Sequence, residues 1–173
     1  MNDIILVKPN LLHQEQVMDY KREFIDNNDS MDGTAGLRNV TNYQQWLDQL
    51  ADNSLETTVH EGLVVSTTYL ALRLSDHTLI GMIDIRHRLN DHLLKCGGHI
   101  GYSVRKSARG NGYAKSMLAL ALKKCQELAI DRVLITCDKN NIASAKTIIA
   151  NNGILENEIE YENEIIQRYW IKL

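Results

Sequence analysis

The chain has 173 residues, 44% hydrophobic and 24% charged, with a formal net charge of −3. That length suits one domain, 1–173, able to bury a core of its own, and the charge balance gives no reason to expect a nucleic-acid partner. No apolar run approaches the ~18 residues of a membrane span, and the first residues lack the basic and apolar regions of a secretory leader, so the expected compartment is the cytoplasm.

In chain order, Ile4 to Val7 is a short β-type run ended by Pro9. Leu12, Val17 and Phe24 mark the apolar side of an expected helix from Leu11 to Phe24. Asp26 to Gly33 reads as a polar loop. Its Asn28, Ser30, Asp32 and Gly33 are spaced as in a calcium loop, but the twelfth position falls on Asn39, where a bidentate glutamate is needed. What remains is a solvated loop, or one whose carboxylates meet a cationic substrate. Thr41 to Leu50 reads as a second helix, with Thr41 as its cap and Trp46, Leu47 and Leu50 on its apolar side. Thr67 to Leu74 and Leu79 to Arg86 form an expected hairpin around Ser75 to Thr78. Arg88 to Lys95 is a connector.

The most informative stretch follows. His99 to Arg105 is an expected strand, and it enters the loop Arg109-Gly110-Asn111-Gly112-Tyr113-Ala114. Met117, Leu118, Ala121, Leu122, Cys125 and Leu128 then recur at helical spacing, so Asn111-Gly112 is not a hairpin turn between two strands. A helix opening from a glycine-bearing loop presents unpaired amides and the positive end of its dipole, which suits an anion. A P-loop would need Lys-Ser or Lys-Thr after Gly112, and a dinucleotide fingerprint would need glycine at position 115, where Lys115 stands. By itself such a loop is also compatible with a plain structural turn.

Arg132 to Cys137 is a near-continuous apolar run, as in a central strand buried on both faces. Strand, helix and strand are expected to make a right-handed parallel crossover. Asn141 to Ala150 reads as a short helix, and Ile154 to Tyr161 with Ile165 to Ile171 as a last hairpin. Cys96, Cys125 and Cys137 show no metal-ligand spacing and are odd in number, and nothing in the spacing suggests a cysteine–histidine pair. The expected fold is α/β, a central mixed sheet with helices on both faces.

Arg109-x-x-Gly112-x-Ala114, with Val104 five residues earlier, resembles the Gln/Arg-x-x-Gly-x-Gly/Ala signature of the GNAT superfamily of N-acetyltransferases. The stretches Gly81 to His87, Gly97 to Arg105 and Gln167 to Trp170 resemble more closely a poorly characterised bacterial group within it. The resemblance implies the GNAT acyl-CoA N-acyltransferase fold and an acetyl-CoA site with no metal. The site would be formed by Val104, Arg109, Gly110, Asn111, Gly112, Tyr113, Ala114, Lys115, Asn141 and Ser144. It implies an N–H near Tyr102 to Val104 that polarises the thioester, and a small-molecule or peptide amine acceptor attacking directly. Residues 1–66 would be the N-terminal strand and acceptor-side helices, and 67–173 the sheet core; a homodimer on the last strands would suit the family.

Four residues are catalytic candidates: His87 and His99 as bases, Ser144 as an acid, and Tyr102, which either packs beside the acetyl group or fills the core. Histidine is the natural base near neutral pH. Many members of the family carry a tyrosine on the later helix to protonate the thiolate, and here that position is Ile148, or Ile149 with a slip of one. Ser144, one turn earlier, is the substitute. That departure keeps a non-catalytic acyl-CoA-binding or regulatory module of the same fold as the alternative.

Overall fold

The computed structural model describes residues 3–173. The order is β1 (Ile4–Val7), α1 (Gln14–Asp26), α2 (Tyr43–Asn53), β2 (Ser66–Arg73), β3 (Leu79–Arg86), β4 (Ile100–Val104), α3 (Tyr113–Glu127), β5 (Arg132–Asp138), α4 (Ile142–Ile149), β6 (Ile154–Tyr161) and β7 (Glu164–Lys172). A one-turn helix, Leu11–His13, leads into α1, and a π-helical turn, Leu93–Gly97, precedes β4. The α/β architecture is the one expected.

The strands form two sheets, β1-β2-β3-β4 and β5-β7-β6, with every registered pair antiparallel. Strand alternation divides the first sheet. Ala71, Ile83, Ile85 and Ile100 face Met117, Leu118, Ala121 and Cys125 of α3. Leu70, Leu72 and Met82 face Val17, Tyr20 and Phe24 of α1 and Trp46 of α2. Each Leu, Ile, Val, Met or Phe among them taken fully from water contributes ~1.5–3 kcal/mol, so the helices are held by their apolar stripes rather than by helix propensity.

Two expectations are corrected. The cap of α2 is Asn42, whose side chain accepts from Gln45 N at 2.9 Å. Thr41 instead donates twice, through its N–H and its hydroxyl, to Gln45 Oε1. Two cap-competent residues stand side by side, and the second holds the extended backbone required of a cap.

The expected parallel ladder between β4 and β5 does not form either. β5 is buried on both faces, with Val133, Leu134 and Ile135 inaccessible, but it stands in the other sheet and is bonded to the residue just before β4. There His99 N–H donates to Leu134 O at 2.7 Å, and Leu134 N–H donates to the His99 ring at Nδ1, 3.0 Å away. A side chain thus takes the amide that a ladder would give to a backbone carbonyl. Gly98, at φ 67 and ψ −177, turns the chain just before this point, and a Cβ on it would lie 2.7 Å from Leu134 O. Beyond His99 no ladder joins β4 to β5 among the described residues, which leaves a cleft between them.

Burial, then the nearby Arg86 charge, pushes the His99 imidazole down to about 4. Its ordinary value is ~6.5, so the neutral ring stabilises the fold fully above that pH, and this contribution is lost as pH falls through about 4. The melting temperature should therefore fall between these limits. A His99→Gln variant, which keeps an acceptor for Leu134, should lose part of that slope; equal slopes in both proteins would show that His99 does not titrate against folding.

Candidate active site

The cleft begins on β4. Arg86 N–H donates to His99 O and Arg105 N–H to Ile80 O, so alternate residues of this strand spend their backbone groups on β3. The N–H groups of Tyr102 and Val104 point the other way, toward the parting β5. The chain then makes one turn at Lys106–Ala108 and enters the glycine loop. Gly110 and Gly112 both adopt left-handed φ, 80 and 76, the conformation in which a side chain is strained. Asn111 ties the loop together, its amide donating to Ala108 O and Arg109 O at 3.1 and 3.2 Å. α3 starts at Tyr113 with no side chain capping it, so the amides of Tyr113, Ala114 and Lys115 form an anion-ready end. Lys115 is exposed beside them.

The signature arginine is not a free cation. Arg109 Nε donates to Val104 O at 2.9 Å, its guanidinium pairs with Asp29 at 2.9 Å, and it lies 5.7 Å from the centre of the Phe24 ring. It braces the loop against the strand that precedes it and against the segment after α1. Glu23 of α1, which nothing in the local spacing marks, completes the brace. Its carboxylate accepts from Ser107 N at 2.9 Å and from Arg105 Nε at 2.7 Å. Burial acts to raise the Glu23 pKa, but Ser107 N–H and Arg105 outweigh it and hold it below the ordinary value. Lys106 adds a bond to Asn27 at 2.7 Å.

The segment between α1 and α2 covers the face of β4 away from α3. Gly33 lies so close that a Cβ would meet Gly101 O at 2.2 Å, and Ser103 Oγ donates to Asp32 O at 2.6 Å. Beneath it Asp84 is 4% exposed, accepting from Thr68 at 2.9 Å and paired with Arg86 at 3.2 Å. His99 shares this face with Arg86. His87 lies at the same end of the sheet but on the α3 face, where its Nε2 meets Thr67 Oγ1 at 2.9 Å. Burial lowers the His87 pKa, with Asp84 acting against it.

On the far side of the cleft stand β5 and α4. Asn141 caps α4, accepting from Ser144 N at 3.1 Å. Ser144 Oγ is 2.9 Å from the Tyr102 hydroxyl, so β4 and α4 are joined across the opening. Burial raises the pKa of the Cys137 thiol, and the Ser144 hydroxyl acts against the rise. Ile148 is fully buried, whereas Ile149 is 56% exposed. Of the two aromatic residues ending the chain, Tyr169 faces the core with its hydroxyl on Gln167, and Trp170 faces the other way under Arg132, 4.6 Å from its ring centre. A cysteine–histidine contact does exist, against expectation: the π-helical turn brings Cys96 Sγ to 3.6 Å from His92 Nδ1.

A family model described as an acetyltransferase (GNAT) domain matches residues 6–153. No curated protein matches the chain. Among solved structures, a ribosomal alpha-N-protein acetyltransferase in complex with coenzyme A, disulfide-linked to one of its cysteines, is 18% identical at a TM-score of 0.71, covering 100% of this chain and 96% of that one. A spermidine/spermine N-acetyltransferase from Vibrio cholerae is 11% identical at 0.65, over 98% and 94%. A ribosomal-protein alanine acetyltransferase from Vibrio fischeri is 17% identical at 0.66, over 98% and 91%. At these identities the likeness is one of fold.

Proposed function

The chain belongs to the GNAT acetyltransferase family, and on that premise we propose that it moves the acetyl group of acetyl-CoA to an amine by direct attack. The observation that carries this reading is the uncapped start of α3, set where β4 leaves β5 and open to the cleft between them. In this reading the amides of Gly110 to Lys115 hold the pyrophosphate, and Lys115 adds charge. Arg109, Asn111 and Asn141 keep the backbone in shape. The N–H groups of Tyr102 and Val104 polarise the thioester carbonyl, a large term when such donors are preorganised. No cysteine lies in the loop to carry the acetyl group, which favours one step over two. Cys137 is the thiol bordering the cleft, as a cysteine borders the coenzyme in the ribosomal relative.

Neither histidine is poised as a base. His99 is held neutral, but its pKa of about 4 makes it too weak at neutral pH. His87 faces α3. The amine reacts through its neutral fraction and releases its proton to water. The acceptor lies on the face covered by the 27–40 segment, and its class is a polyamine or a protein amine, as for the relatives. The setting is the cytoplasm, with a homodimer on the last strands.

A second reading, an acyl-CoA-binding module without transfer, is favoured by Ile148, buried where many members of the family carry tyrosine. One calorimetric titration and one assay separate them. Micromolar binding of acetyl-CoA together with thiol release in the presence of spermidine or an N-terminal peptide is the expected result. Binding without release from any amine would favour the module; no binding would reject both.

A further inference from the structure

The transfer leaves one charge without a partner. The amine nitrogen bonds to the acetyl carbon and the carbonyl electron pair moves to oxygen. On collapse the carbon–sulfur bond breaks and its pair goes to sulfur, while the ammonium proton goes to water. A thiolate then sits between β4 and α4, where a charge left without a hydrogen-bond partner is costly. Ile148 and Ile149 offer no donor. Resting on the acetyl-CoA reading above, we infer that the Tyr102 phenol, steadied by Ser144, donates the hydrogen bond that receives this thiolate, a strand residue standing in for the absent helix tyrosine.

Three observations carry the inference. The phenol crosses the cleft from β4 to α4, ending 2.9 Å from Ser144 Oγ. The Ser144 and Thr147 hydroxyls both act against the effect of burial on the phenol, so its oxygen can still be supported when its proton turns toward sulfur. The Ser144 hydroxyl also acts to lower the pKa of the Cys137 thiol, so a sulfur atom already stands within its influence. Burial also pushes Tyr102 up to about 12, with Ser144 acting against the rise. The group thus stays a phenol at neutral pH and works as a hydrogen-bond donor. The thiolate takes its proton from water as coenzyme A leaves.

The test is the titration of the coenzyme A thiol while bound, followed by the ultraviolet absorbance of the thiolate. In the wild type the bound thiol should ionise at lower pH than in free coenzyme A, and Tyr102→Phe should move it back up by about one unit. With acetyl-CoA, kcat should fall about 10- to 100-fold in that variant, while the Kd for acetyl-CoA stays within about twofold. Ser144→Ala keeps the ring and should give a smaller shift in the same direction, and it decides the matter if Tyr102→Phe folds poorly. An unchanged thiol titration in a variant that binds coenzyme A normally would overturn the role of Tyr102 alone. Failure of the wild type to bind coenzyme A would overturn the cofactor reading with it.

Discussion

Gly112→Glu should abolish acetyl-CoA binding while leaving the fold nearly intact. Gly112 precedes α3 at φ 76, and a side chain in that left-handed conformation costs roughly 1–2 kcal/mol. A carboxylate at a helix N-terminus regains part of this, because it complements the dipole. The same carboxylate then occupies the amides that the pyrophosphate needs and repels its charge. The two effects compensate in stability but add in binding. Affinity should drop by at least ~100-fold, with the thermal midpoint shifted by only about 2–4 °C. Calorimetry beside a melting curve checks both. Undiminished binding would remove the loop as the phosphate site.

Gly98→Ala should have the opposite profile, a small chemical change with a large loss of stability. The backbone at φ 67 and ψ −177 lies in a region reserved for glycine, worth ~1–3 kcal/mol by itself. The added Cβ would also stand 2.7 Å from Leu134 O and 3.3 Å from the Ile135 Cα, both backbone atoms that cannot swing aside. We expect a loss of about 3 kcal/mol or more, read as a lower urea midpoint. Gly110→Ala is the control. A Cβ there meets nothing within 4 Å, so only the left-handed φ is felt, about 1–2 kcal/mol. Equal midpoints for the two variants would mean that the contact at Leu134 does not set the cleft.

The strand, glycine loop and helix from His99 to Leu128 could be read directly, because apolar spacing and glycine position are local signals. The helices around Val17 and Trp46 and the two hairpins were legible for the same reason. The parting of β4 from β5 was not. It depends on a positive φ at Gly98 and on an imidazole answering an amide 35 residues away, neither of which leaves a periodic trace. The role of Arg109 was hidden likewise: the residue was visible, its partners Asp29 and Phe24 were not. Glu23 was missed entirely, since an acidic residue near a helix end is ordinary. Tyr102 and Ser144 were each singled out, but their pairing across 42 positions needed the folded chain. Local geometry is written in neighbours; a cleft is written in residues that meet only after folding.

The bond from Arg109 Nε to Val104 O bears on the signature itself, which admits glutamine or arginine at this place. The two differ by a full charge, so charge cannot be what the position selects. They share a planar nitrogen with a directed N–H at the end of a flexible arm. Lysine keeps the charge but has no planar donor and stacks poorly on an aromatic ring. The degeneracy then describes a carbonyl in need of a donor, and by this rule a residue of the motif can be neutral in one protein and cationic in the next without altering the loop.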